Sequence, residues 1–121
     1  MGISVKEIEN GDKRRVTEPY TYNDGTVIPE GYEFDGGSVP RVFWRICAPF
    51  KHVTCFAHHD WHCGIARMMC LDDGTKTASA KHHRVKADHA LRVCIAEREG
   101  DFIGFLVWTG VRAGSAIGSG W

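Results

Sequence analysis

The stretch KHVTCFAHHDWHCGIARMM, Lys51–Met69, decides how the rest of the chain is read. Within it, FAHHDWHC (Phe56–Cys63) packs three histidines, an aspartate and a cysteine into eight residues. The spacing predicts a helix from about Lys51 to Cys63, with Gly64 as its stop. On that helix Ala57, Asp60, Trp61 and Gly64 share one face, and His59, His62 and Cys63 lie on a neighbouring one. His58 and His62 are four apart, as are His59 and Cys63, so either pair has the spacing to grip one metal ion. His59 and Asp60 diverge by about 100° around the axis. They can therefore serve one site in two roles but do not easily bond to each other.

A partner for His59 has to come from elsewhere. AKHHRVKADHALRVCIAERE (Ala80–Glu99) reads as a long helix, opened by Ser79 and closed by Gly100. Its expected apolar stripe is Val85, Leu91, Cys94 and Ile95. Asp88 falls on that inward stripe, where a carboxylate needs a charged or hydrogen-bonding partner. Two antiparallel helices about 8–10 Å apart would set Asp88 against the His59 imidazole. Asp88 would then fix the tautomer and leave the other ring nitrogen as a base. Asp60 is the candidate cation ligand, helped by carbonyls of the glycine turn Asp35–Ser38. The same residues have a purely structural reading: Arg41 and Arg84 pair with Asp60 and Asp88, and with Asp35 they pin the N-terminal region to the helices. His58, His62 and Cys63 form a weaker candidate zinc set, with His52, His82, His83 and His89 available as further ligands. His82 and His83 otherwise read as a solvated helix start.

Residues 1–38 read as β and turn. RRVTEPYTYNDGTVIPEGYEF holds two β-rich runs around Asn23-Asp24-Gly25, a hairpin signal, and Pro29 marks an edge or loop. Ser38 and Pro40 look like a helix start, with Val42, Phe43 and Ile46 as its apolar face. LDDGTKTASA (Leu71–Ala80) is a polar loop. The end, DFIGFLVWTGVRAGSAIGSGW, predicts one more helix, whose glycines permit close helix–helix contact, with an irregular tail from Ala113. The expectation is a single α+β domain over residues 1–121: a β-hairpin region (1–38) packed on three to four helices (39–121), the central two antiparallel.

Composition narrows the function. The chain has 121 residues, 43% of them hydrophobic, and 15 basic residues balance 15 acidic ones. A formal charge of zero argues against a general nucleic-acid binder or a polybasic membrane anchor. No apolar run reaches the roughly 18 residues of a membrane span, and no signal peptide is visible, so synthesis in the cytosol is expected. The five cysteines, Cys47, Cys55, Cys63, Cys70 and Cys94, are odd in number and contain no C-x-x-C pair. They read as free, buried thiols, open to later oxidation in an exported particle.

The order DGGSVPR, HHDWHC, RVKAD resembles a family of small, mostly phage-encoded proteins classed as domain of unknown function 1353. Asp35, Gly36, Ser38, Pro40 and Arg41 match its first element, His59 and Asp60 the second, and Arg84, Ala87 and Asp88 the third. Cys63 stands where that family usually has tyrosine. The resemblance implies a phage or prophage origin and no particular activity. A fainter similarity is to secreted phospholipases A2, which pair an H-D helix with an aspartate on an antiparallel helix. It implies His59 as base, Asp60 on calcium and Asp88 orienting the histidine, although the cysteine framework of those enzymes is missing.

Three functions follow as expectations. The first is a virion component, tail- or baseplate-associated, which meets other virion proteins, can form a homo-oligomer and holds a structural His-Asp-Arg cluster. The second is a small metal-assisted hydrolase of cell-envelope or lipid substrates, using Ca2+ or Zn2+ and a His59–Asp88 dyad. The third is an intracellular protein that disarms a host defence.

Overall fold

The computed structural model describes residues 2–11, 13–35 and 51–121, with the backbone alone at 10 and 115–119. The Ser38–Ile46 helix, Arg41, Trp44 and Cys47 of the sequence reading lie outside the described residues.

The N-terminal part is a small antiparallel β-region. Strands β1 (Val5–Ile8) and β2 (Lys13–Val16) are joined by a 3-10 turn, Glu9–Gly11, and β2 also pairs with β5 (Glu33–Phe34). Lys6 sits opposite Arg15, a like-charge pair that alone would weaken the ladder. Arg15 lies opposite Glu33 on its other side and bonds it at 2.9 Å, which offsets the repulsion. A second ladder pairs β3 (Tyr20–Thr21) with β4 (Val27–Ile28) around the expected Asn-Asp-Gly turn. Gly25 has φ +90 there, a conformation a side chain would disfavour. Pro29 follows β4 outside any strand, as expected.

Three helices follow: α1 (Val53–Met68), α2 (Ala78–Glu99) and α3 (Asp101–Ser119). Cross-contacts fix their directions. Cys55 meets Cys94, His59 meets Asp88 and His62 meets His83, so α1 and α2 run antiparallel. Gly104 lies on Ala96 and Arg112 on Asp88, so α2 and α3 do too. This is an α+β fold with a β-region packed on a set of three helices.

Several boundaries move. Gly64 does not end α1, which runs four residues further to Met68. Burial of Ala66 behind it outweighs the roughly 1 kcal/mol that an interior glycine costs. Thr77, not Ser79, opens α2: its backbone is extended and its hydroxyl accepts the Ala80 N–H at 3.0 Å. The tail from Ala113 is helical to Ser119. Val85 is exposed, and the inward stripe of α2 is Ala80, Arg84, Ala87, Asp88, Leu91 and Ile95. Four of those six residues are alanine or charged, which is why an apolar count misplaces the stripe.

Two apolar clusters flank α1. Ala57, with Val53 and Trp61 beside it, packs under the β-region on Ile3, Val16, Ile28 and Phe34. Cys55 and Phe56 pack with Leu91, Ile95, Val107 and Val111 of the other helices. Gly104 permits the close α2–α3 approach expected of a glycine-bearing helix: a Cβ there would lie 2.8 Å from the Arg92 carbonyl oxygen. Cys55 and Cys94 form a disulfide, which corrects the reading of all five cysteines as free. Their 39-residue separation hides the pairing in the sequence, but facing positions on antiparallel helices bring the Cα atoms to 5.7 Å. Cys63 and Cys70 are free.

Candidate functional site

Because α1 contacts three neighbours, its polar residues sort onto three faces. On the face toward the β-region, Asp60 accepts a 2.6 Å hydrogen bond from the Tyr32 hydroxyl. Trp61 sets an edge-on contact against the same tyrosine ring. Burial and the Asp60 charge push the Tyr32 hydroxyl pKa well above its usual value, so it stays a donor. The shared face of Ala57, Asp60 and Trp61 is as expected, but Tyr32 was not foreseen as the partner. Asp35 is exposed at the end of β5, and its proposed associate Arg41 is among the residues not described.

The inward face carries His59 and Cys63. His59 Nε2 lies 2.6 Å from Asp88 Oδ1, and both side chains have no exposed surface. Arg112 of α3 donates to Asp88 Oδ2 at 2.8 Å and to the Trp121 carbonyl at 3.2 Å. Arg84, one turn before Asp88, brings its Nε to 3.5 Å and lays its guanidinium over the Trp121 ring. Cys63 Sγ sits 3.6 Å from His59 Nε2. All three helices therefore meet on one carboxylate. Burial raises the Asp88 pKa, but the His59 and Arg112 hydrogen bonds and the Arg84 charge outweigh it and hold the carboxyl below its usual range. Burial likewise opposes charge on His59, yet the neighbouring Cys63 and the Asp88 bond raise its pKa to about 9.

The third face points toward the β3–β4 turn. The His58 and His62 rings lie against each other at a tilt of 48°, with centroids 4.4 Å apart. Asp24, in the turn, reaches His58 Nε2 at 2.8 Å. His62 bonds Thr26 Oγ1 at 2.9 Å through Nε2 and His83 Nε2 at 3.0 Å through Nδ1. Burial, then the neighbouring His58 and His83, lowers the His62 pKa to about 4, so its ring is neutral. His83 is thus a partner of α1 and not a solvated helix start, whereas His82 is exposed.

The structure separates residues that the sequence reading grouped. Cys63 belongs with His59 and Asp88, and His58 and His62 belong with Asp24; each trio has the donor types and proximity to coordinate a metal ion. His58, His62 and Cys63 do not form one ligand set. Arg112, Asp24 and Tyr32 were missed altogether. Arg112 left one signal: it is the lone cation in a mostly apolar helix. Among the described residues no helix is long and apolar enough to cross a membrane.

No curated protein and no solved structure matches the chain. Over residues 14–111 it matches the family described as protein of unknown function (DUF1353), and with most of its length inside that match the chain belongs to this phage-associated family.

Proposed function

We propose that the chain is a virion component, tail- or baseplate-associated, in which the His59–Asp88–Arg112–Arg84 cluster is a structural lock. The observation that carries this reading is the closure of the cluster. His59 and Asp88 have no exposed surface, and both Asp88 oxygens are taken, Oδ1 by His59 and Oδ2 by Arg112. A general base has to reach the proton it removes, and a sealed imidazole does not. Breaking such a buried set leaves an uncompensated charge, which favours its retention for geometry alone.

Two further features support life in an assembly. The Cys55–Cys94 disulfide suits a protein that ends outside the reducing cytosol. Phe102 is 70% exposed and Phe105 44%, an aromatic pair on one side of α3 of the kind protein partners cover. Mass spectrometry of purified phage particles tests the reading. The chain should be present at fixed stoichiometry to other tail proteins, and its absence from particles would contradict a virion role.

The metal-assisted hydrolase keeps one observation in its favour, the 2.6 Å His59–Asp88 contact, which is the distance a base-orienting dyad requires. It also requires Asp60 to hold the cation, and one of its two carboxylate oxygens, Oδ2, accepts the Tyr32 hydroxyl bond. Hydrolysis of lipid or cell-envelope substrates that vanishes in a folded His59→Gln variant would establish this reading in place of the first.

A further inference from the structure

The face of α1 that the lock does not use carries its own constellation. His58 and His62 are one turn apart, and the β3–β4 hairpin lowers Asp24 onto them from a different part of the chain. The ligand-capable atoms of Asp24, His58 and His62 all lie within 4.8 Å of one another. With bonds of about 2.0–2.1 Å, a tetrahedral ion holds its ligand atoms roughly 3.3 Å apart. Rotation of the half-exposed Asp24 side chain and small ring adjustments close that difference.

The surroundings fit as well. A cavity of about 150 Å³ opens beside the trio, bordered by His83 and by Ala87 and Ala90 of α2. An adjoining groove of about 340 Å³, walled by Tyr22, Val93 and the same Asp24 and His58, leads away from it. Both ring nitrogens of His62 are engaged, Nε2 by Thr26 and Nδ1 by His83; coordination through Nε2 displaces the Thr26 hydroxyl, and the His83 bond then fixes the ring orientation. Lys86 also lines the cavity and disfavours a second cation, but three neutral or anionic donors outnumber it.

From this geometry we propose that Asp24, His58 and His62 form a binding site for a divalent transition-metal ion of the zinc type, with His83 positioning His62 and the fourth coordination place facing the cavity. Two imidazoles and one carboxylate favour zinc-like ions over calcium or magnesium, which prefer all-oxygen shells. A bound ion ties the β3–β4 hairpin to α1 and, through His83, to α2. The site is independent of the buried His59–Cys63–Asp88 trio, which presents no open face.

The test uses the metal-free full-length chain. Zn2+ is titrated by calorimetry, Co2+ is followed through its d–d absorption, and Tm is read with and without metal, with Ca2+ as the control ion. The expectation is one zinc per chain at this site, a Tm raised by several degrees, and tetrahedral-type Co2+ absorption. In His62→Asn and in Asp24→Asn, each checked by circular dichroism, zinc affinity should fall at least about tenfold, while Cys63→Ser retains it. Three results overturn the proposal: no stoichiometric zinc binding, binding unaffected by His62→Asn and Asp24→Asn, or binding lost in Cys63→Ser alone. None of these depends on whether the chain is found in particles.

Discussion

The two histidine clusters of α1 start from the same i,i+4 spacing and end in opposite states. On the inward face, His59 and Cys63 meet Asp88 and two arginines and are sealed between helices. On the outward face, His58 and His62 meet Asp24 and His83 beside a cavity. The charge balance differs accordingly. The inner carboxylate is surrounded by cations, whereas the outer histidine His62 is held neutral by burial and by its histidine neighbours. Spacing along a helix therefore sets which side chains are neighbours, while the element laid across them decides whether they become a lock or an open donor set.

The largest expected effect breaks the inner cluster. Asp88→Ala should cost about 3–5 kcal/mol in urea unfolding, because Arg112, Arg84 and His59 lose their shared counter-charge in a buried setting. The matching outer change, Asp24→Ala, removes a half-exposed carboxylate and should cost less than about 1 kcal/mol. Equal losses would erase the distinction between the two faces. Next in size, Cys94→Ala frees the 39-residue loop clamped along the inner seam and should cost about 3 kcal/mol under oxidising conditions. Under strong reductant, wild type and variant should converge. Gly104→Ala probes the packing that presses α3, and so Arg112, toward Asp88. The new methyl meets the Arg92 carbonyl at 2.8 Å and the Ala96 Cβ at 2.9 Å, for about 2 kcal/mol of lost stability.

The pairing of His59 with Asp88 was legible in the sequence because both lie on inward positions of helices whose length and polarity are plain. The arginine–carboxylate cluster was half legible: Arg84 sits one turn from Asp88, Arg112 of α3 joins it unforeseen, and Arg41 lies outside the described residues. Arg112 is 24 residues from its partner, and nothing local marks that contact. Asp24 and His83 were hidden for the same reason, since a turn and a second helix reach α1 only through the tertiary fold. Thr77 was overlooked because Ser79 is an equally good cap by composition, and only backbone geometry distinguishes them.

The smallest expected effects are in the pH dependence, where the two clusters should have opposite signs. His59 has a raised pKa of about 9, so its contribution is complete below about pH 6.5 and is lost as pH rises through 9. His62 has a lowered pKa of about 4, so its contribution is complete above about pH 6.5 and is lost as pH falls toward 4. Solvent screening of the partly exposed His62 should hold its acid limb to about 1 kcal/mol. Denaturation across pH 4–10 in metal-free buffer should show the alkaline limb flattened in His59→Gln and the acid limb flattened in His62→Asn. Both variants tracking wild type would contradict the assignments.

The central claim is that the His59–Asp88 cluster is closed to solvent in the native chain. Carbethoxylation of the folded protein at neutral pH, read histidine by histidine by mass spectrometry, tests it most directly. The account predicts rapid modification of exposed His82 and none of His59 until the chain is unfolded. Modification of native His59 at a rate near that of His82 would contradict it and return the dyad to the enzymatic reading.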